Sequence, residues 1–447
     1  MFIEYFNTTK LYILGKLALP AQISIFILLG PENFYTFALC VAIVAFLVMV
    51  TDPGLSIYRL SNSTRVHDTL ARLIMYLLAI TVVITVVILN SSDLLMFDAV
   101  IINSVCIIFL LSVANIDIKV KFQQKNEINV FVKKEQVGKI LFSTAALLLA
   151  FNNHVIFAII VTLASSYAPL IYWKVLLVKK DKLKVSWIKC KDIIKFSSGI
   201  FIHKIIIYSR KHFDKFSIPF FFHSYEAGQI FFTIMIIETI RMQVNNIFVV
   251  NQESVFSSLS RSEFIRQFIG TLYLQQLFML LMVIVVTNGC LLIKIFEPAI
   301  LENWTLSVEL LLVYIANLAI FSVTGSYGGF LMLSGNHKTL NLNLFVFGVL
   351  LTAVCCLPGL LLTNPVYFVM GLLVGHLLQK SYLLMSMLTE FNISVVKLFK
   401  ILRLPFFILC YCSFSFLFKN YYSVIVFVSC LTFIFCIFSL DKLRLSK

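Results

Sequence analysis

One stretch of this 447-residue chain gathers most of the residue types that could do chemistry: IFIHKIIIYSRKHFDKFSIPFFF holds Lys204, Tyr208, Arg210, Lys211, Asp214 and Lys215 among apolar neighbours. At helical spacing Lys204, Tyr208, Lys211 and Lys215 fall within about 60° of one another, a stripe roughly 16 Å long. Fixed positive charge on one face suits binding and guiding an anion such as a phosphate. Arg210 and Asp214 lie on neighbouring faces, where Asp214 can pair with Arg210 or Lys211. Two other readings stand beside the anion-guiding one: a set of structural ion pairs, or a segment that does not cross the membrane.

Other polar residues are more ambiguous. Lys16 can point inward or snorkel to the inner surface. Glu238 and Arg241, three residues apart, suit a salt bridge, with Arg241 a second candidate phosphate contact. His376 and Lys380 share a helix face, where Lys380 reads as snorkelling at the inner surface. Asp52-Pro53-Gly54 reads as a kink or helix stop, and Gly325, Gly328 and Gly329 as a site of close packing or bending. The ten Cys form no CxxC and no Cys-His spacing, so they read as free thiols with no bound metal. No nucleotide or cofactor motif is present.

These residues must be carried by membrane helices. With 60% of residues hydrophobic and 13% charged, the chain has too much apolar surface for a water-soluble fold. Its apolar runs are continuous, unlike the alternating strands of a barrel. At about 20 residues per span, the windows are 11–29, 34–58, 73–89, 99–118, 137–151 and 155–178, then 196–222, 227–250, 268–296, 307–333, 344–362 and 366–388. Two more follow at 404–418 and 422–440. The expected fold is an all-α polytopic membrane protein of about 14 transmembrane helices, in two six-helix bundles plus two C-terminal helices. The expected divisions are 1–190, 191–390 and 391–447.

Charge sets the orientation. The connections 59–72, 119–136, 179–195, 251–266, 335–341, 390–403 and 441–447 hold 24 Lys and Arg, whereas the opposite connections hold only Lys294 and Lys419. The positive-inside rule places the first set and both termini in the cytoplasm. It also explains the formal charge of +15 without a nucleic-acid partner. Each charge of the seventh span would cost about 2.5–3.5 kcal/mol facing lipid at the helix centre. Removing that span, however, would put nine Lys and Arg outside, so the span is kept and expected to face protein or water. No stretch between spans is long enough for a separate catalytic domain, and the first span lacks a small-x-small cleavage site, reading as a retained helix.

Six helices, a basic connector and six more suggest a duplication: LLGPENFYTFALCVAI from Leu28 aligns with FFHSYEAGQIFFTIMI from Phe221, each after the first span of its half, and the other reading of this match is a chance similarity between two hairpin turns. At these residues the chain resembles the bacterial polysaccharide exporters and O-antigen flippases of the multidrug, oligosaccharidyl-lipid and polysaccharide flippase superfamily. The likeness rests on LGPENFY at Leu29–Tyr35, DPGL at Asp52–Leu55, the Asp214-Lys215 pair before the turn at Tyr225–Gly228, and SGNHKTLNLN at Ser334–Asn343. It implies a non-enzymatic flippase of the bacterial cytoplasmic (inner) membrane. Such a protein would move polyprenyl-pyrophosphate oligosaccharides outward for O-antigen, lipopolysaccharide or capsule synthesis, by alternating access through a cationic cleft. The implied partners are the lipid-linked oligosaccharide, membrane lipids, a proton or sodium ion for coupling, and other polysaccharide assembly proteins. The competing readings are a polytopic polymerase, ligase or glycosyltransferase of the same pathway, and a cation-coupled drug exporter of the same fold. The first lacks a large external loop and a D-x-D pair, the second a carboxylate in the first span.

Overall fold

A computed structural model describes residues 18–61, 65–91, 99–124, 127–165, 187–256, 261–296, 302–324, 342–391 and 402–412, with Tyr167, Tyr327, Ile425 and Val428. The described residues form helices and contain no strand. Among the described residues, six segments are long and apolar enough to cross a bilayer: Ala21–Thr51, Asp68–Asn90, Leu272–Gly289, Glu302–Ser322, Asn343–Leu361 and Pro365–Thr389. The chain is therefore an all-α, multi-pass membrane protein.

The first of these segments is a hairpin of two arms. Helix α1 (Ala18–Thr51) is interrupted at Gly30, whose φ of 74° leaves the helical region. Phe26 and Phe37 would lie roughly 16 Å apart along a straight helix, yet their ring centroids are 4.9 Å apart. The chain folds back at the LGPENFY turn, with Pro31 pre-set to start the second arm.

The second arm ends at Thr51. Gly54 takes φ +110°, and a Cβ there would stand 2.9 Å from Ile200, so both conformation and space require glycine. A short helix, α2 (Leu55–Ser61), then turns along the bundle. It is followed by α3 (Arg65–Ser91), α4 (Ala99–Gln124), α5 (Ile128–Phe151), α6 (Val155–Ala164) and α7 (Trp187–Phe221).

The helices run well past the apolar windows at their basic ends. Because α4 continues to Gln124 and α5 begins at Ile128, most of the connection 119–136 is helix. Lys, Gln and Glu are good helix formers, and Glu135 pairs with Lys139 at 2.7 Å one turn on. Hydropathy marks only the apolar part of each rod.

Two compact units divide the chain, Met1–Phe216 and Ser217–Lys447. In the first, Leu55, Ala71, Met75, Ala79, Val105 and Phe109 form a core between α1, α2, α3 and α4. On α3, Leu77, Ile80, Ile84 and Ile88 are more than half exposed, a lipid-facing side in a span that is apolar all round. Gln22 donates to Ser143 Oγ at 3.2 Å, tying α1 to α5.

The second unit holds α8 (Ser224–Phe256), α9 (Arg261–Phe296), a 3-10 turn at Glu302–Trp304, α10 (Thr305–Tyr314) and α11 (Ala316–Ser322). A π-helix (Asn343–Leu351), α12 (Thr352–Leu361), α13 (Pro365–Phe391) and α14 (Leu402–Cys412) complete it. Gln229 on α8 accepts the Ser307 amide at 2.8 Å, and Ser307 Oγ donates to the Gln229 carbonyl at 3.0 Å, seating α10 on α8. Asn364 caps α13 by accepting the amides of Val366 and Tyr367. At Gly359, Gly371 and Gly375 an added Cβ would run into the facing helix, so α12 and α13 meet through small residues.

Several expectations lie wholly or partly outside the described residues: the start of the first span, the ends of the sixth and tenth, most of the last two, Gly325, Gly328, Gly329 and most of 334–343.

Candidate functional site

The cationic stripe is carried by α7, and its best-defined members do structural work. Lys204 Nζ donates to the Asp52 backbone carbonyl at 2.5 Å and lies 3.0 Å from Asp52 Oδ2. Asp52 also accepts the Ser56 amide at 2.9 Å and its hydroxyl at 2.6 Å, fixing the first turn of α2. The helix stop expected at Asp52-Pro53-Gly54 is thus also the anchor for Lys204. Nearly three turns back along α1, Tyr208 donates to the Ala42 carbonyl at 2.8 Å. Its ring lies 5.7 Å from Phe46 and 4.5 Å from His212. These contacts hold α7 against the second arm of α1.

The rest of the stripe follows on the next two turns of α7. Lys215 is half-buried, and Asp214 beside it is buried. Lys211 lies on α7, with its side chain outside the described residues, and Lys16 falls outside them altogether.

The second unit concentrates polar groups near the middle of its helices. On α8, Arg241 pairs with Glu238 as expected from their spacing. Its guanidinium also stands over the Phe321 ring, 4.0 Å from the centroid. Lys380 of α13 stands over the same ring at 4.6 Å and donates to Thr324 Oγ1 at 3.1 Å. With only 7% of its surface exposed, Lys380 does not snorkel. The ring and hydroxyl of the neighbouring segment hold its ammonium inside the bundle. His376, one turn earlier, packs edge-on to Phe321 at 5.2 Å.

Polar groups without partners share this layer. Asn317, one turn before Phe321, and Gln379, beside Lys380, are fully buried, and their side-chain amides have no hydrogen-bond partner among the described residues. Gln276 reaches across from α9 to the Ser322 carbonyl at 3.2 Å. Cations, a carboxylate, an imidazole and unspent amides inside an apolar helix bundle can bind a charged or hydrated group. Among the described residues, no group of three His, Cys, Asp or Glu could hold a metal.

A third cluster, unforeseen from the sequence, ties α2, α3 and α4 together in the first unit. Arg59 Nε meets Asp68 Oδ1 at 2.7 Å and its Nη2 meets Asp117 Oδ1 at 2.7 Å, while Arg72 Nε meets Asp117 Oδ2 at 2.6 Å. Tyr76 donates to Asp117 Oδ2 at 3.1 Å, and Gln124 donates to Asp68 Oδ1 at 3.1 Å. Arg59 and Asp117 have no exposed surface. Burial alone would lower the Arg59 pKa, but Asp117 and then Asp68 more than reverse that, holding the guanidinium charged. Two arginines and two aspartates form the ion pairs and Lys121 stands near both aspartates, and the cluster reads as a structural knot.

Comparison with known proteins adds the following. Residues 27–300 match the family model described as polysaccharide biosynthesis protein. No curated protein matches the sequence. Among solved structures, the lipid II flippase MurJ in its inward closed conformation is similar with a TM-score of 0.70 at 12% identity, over 99% of this chain and 100% of that chain. A multidrug resistance MATE family transporter of the MOP superfamily is similar in its inward-facing conformation, with a TM-score of 0.51 at 13% identity over 85% of this chain and 94% of that one. The outward-facing conformation gives 0.50 at 13% identity, over 87% and 96%. At these identities the likeness to solved structures is one of fold.

Proposed function

The chain belongs to the polysaccharide biosynthesis protein family, and from that premise we propose that it is a flippase for lipid-linked oligosaccharides. It takes polyprenyl-pyrophosphate-linked repeat units from the cytoplasmic to the external leaflet, for O-antigen or capsule synthesis. Its place is among transporters and flippases of the MOP superfamily, not among enzymes. The observation that carries the reading is the family match together with a fold that follows a lipid II flippase from end to end.

The residues fit the physical demand. A sugar head group with anionic phosphates must pass hydrocarbon, which requires polar and positive groups inside the protein. Lys211 and Lys215 on α7, and Arg241 and Lys380 in the second unit, offer such charge, and Asn317 and Gln379 offer amides for hydroxyl groups. A MATE transporter of similar fold occurs in inward-facing and outward-facing conformations, which supports alternating access here. A proton or sodium ion is the proposed coupling ion, the bacterial cytoplasmic (inner) membrane the proposed location, and cytoplasmic termini the proposed orientation.

The experiment is complementation in a host whose surface polysaccharide depends on this protein. Lys211→Ala and Lys215→Ala are expected to lower export, the double variant most, with Lys→Arg retaining more than Ala. Equal protein abundance must be verified by immunoblot. A double Ala variant that accumulates and exports normally refutes the role of the stripe.

A further inference from the structure

In the second unit, one membrane segment is wound in two ways. Asn343–Leu351 is π-helix and runs without a break into α12 (Thr352–Leu361). A π-helix bonds each residue to the fifth along instead of the fourth, so a turn carries about one residue more than an α turn. The side chain at the junction follows the wider winding. Thr352 donates to the Phe347 carbonyl, five residues back, at 3.0 Å. Thr51, Thr81, Thr85, Thr144, Thr162 and Thr233 in other helices donate to carbonyls four residues back.

The two parts are held differently. From Thr352 onward the helix is clamped to α13: a Cβ added to Gly375 would stand 2.5 Å from Thr352 Oγ1, and one added to Gly371 would stand 2.3 Å from the Cys355 carbonyl oxygen. Before Thr352 the contact with α13 is a side-chain stack, Phe347 on Tyr382 with centroids 4.5 Å apart. The far end carries an unmet demand. Asn343 is 1% exposed, and its side-chain oxygen has no hydrogen-bond partner among the described residues, which costs free energy. Rewinding the π segment to α with Thr352 fixed turns this end by about one residue, or about 100°. Leu344 then takes the direction of Asn343, and Asn343 takes that of the exposed Leu342. Phe345, now 46% exposed, takes the direction of the buried Leu344. An apolar side chain replaces the unpaired amide inside. Asn343 turns outward at the end of the apolar segment Asn343–Leu361, beside the basic connection 335–341 and within reach of water.

We propose that Asn343–Leu351 is a rotary joint that alternates between π and α winding, turning the start of this span against the fixed α12–α13 pair, and that transport uses the turn. The π form buries Asn343 and keeps Phe345 in lipid; the α form solvates Asn343 and buries Phe345. The turn also lifts Phe347 from Tyr382, two residues beyond Lys380, so it is felt beside the polar layer. The joint does not depend on which substrate is carried.

Fluorine NMR of the full-length protein in lipid nanodiscs tests it. Trifluoromethyl-phenylalanine replaces Phe345, and dissolved oxygen, which concentrates in hydrocarbon, broadens the signal of a lipid-facing ring. The otherwise wild-type protein is expected to be mainly in the broadened, lipid-facing form. Asn343→Asp, nearly the same shape but far costlier to bury when ionised, is expected to make the protected form the major one. Deleting Leu350 removes the extra residue and leaves Phe347 four residues before Thr352, so the segment can be α-helical with Asn343 still inside. That variant is expected to show the lipid-facing form alone and to lose most of its export at equal abundance. Equal broadening in the wild-type background and in Asn343→Asp overturns the joint, a comparison that stands even where the deletion variant does not fold. So does normal export by a folded deletion variant. If the wild-type protein moves no lipid-linked glycan, the flippase reading falls instead, and the fluorine signals still report on the joint.

Discussion

Lys204 and Lys380 exchange the roles that their sequence positions suggest. Lys204 sits in the cationic stripe but is held by Asp52, whereas Lys380 on α13 is enclosed by Thr324 and Phe321. Lys204→Ala removes charge-assisted hydrogen bonds at the break of α1 and is expected to cost about 1.5–3 kcal/mol of stability, read as earlier thermal unfolding in detergent. Lys380→Ala is expected to lower transport strongly and Lys380→Arg to retain more, at equal abundance. Wild-type transport by Lys380→Ala would leave Lys380 a packing contact of the bundle with no part in transport. The difference was not legible in sequence, because where an ammonium points depends on a partner 56 residues away. The Glu238 and Arg241 pair was legible, since both lie on one helix within one turn.

At the scale of elements, local punctuation reads well and tertiary pairing does not. The LGPENFY turn and the Asp52-Pro53-Gly54 stop could be found because Gly30 and Gly54 adopt conformations that few other residues accept. The knot between α2, α3 and α4 could not. Arg59, Asp68 and Arg72 read as members of a basic connection, and nothing local says that Asp117 of the next helix will meet them. Removing one partner leaves buried charge uncompensated. Arg59→Ala is therefore expected to cost about 3–5 kcal/mol, and Arg59→Met with Asp117→Leu less than the sum of the single changes. Thermal unfolding of the four proteins in a double-mutant cycle checks this. Strict additivity would mean that the two residues act independently.

For the whole molecule, composition carried the membrane class, because a bilayer sets the length and apolarity of the elements that cross it. The family was legible through short turns and helix ends. The polar layer around Phe321 was legible only as scattered residues, since helices far apart in sequence assemble it. On the proposed function, these features serve the passage of a lipid-linked saccharide. Purified protein reconstituted into vesicles with a polyprenyl-diphosphate-linked oligosaccharide, its sugar read by an impermeant external lectin or glycosidase, tests this most directly. Protein-dependent exposure of inner-leaflet substrate is predicted, reduced by Lys380→Ala and by the Lys211, Lys215 double Ala variant. No exposure above protein-free vesicles, under an imposed proton or sodium gradient of either direction, would contradict it.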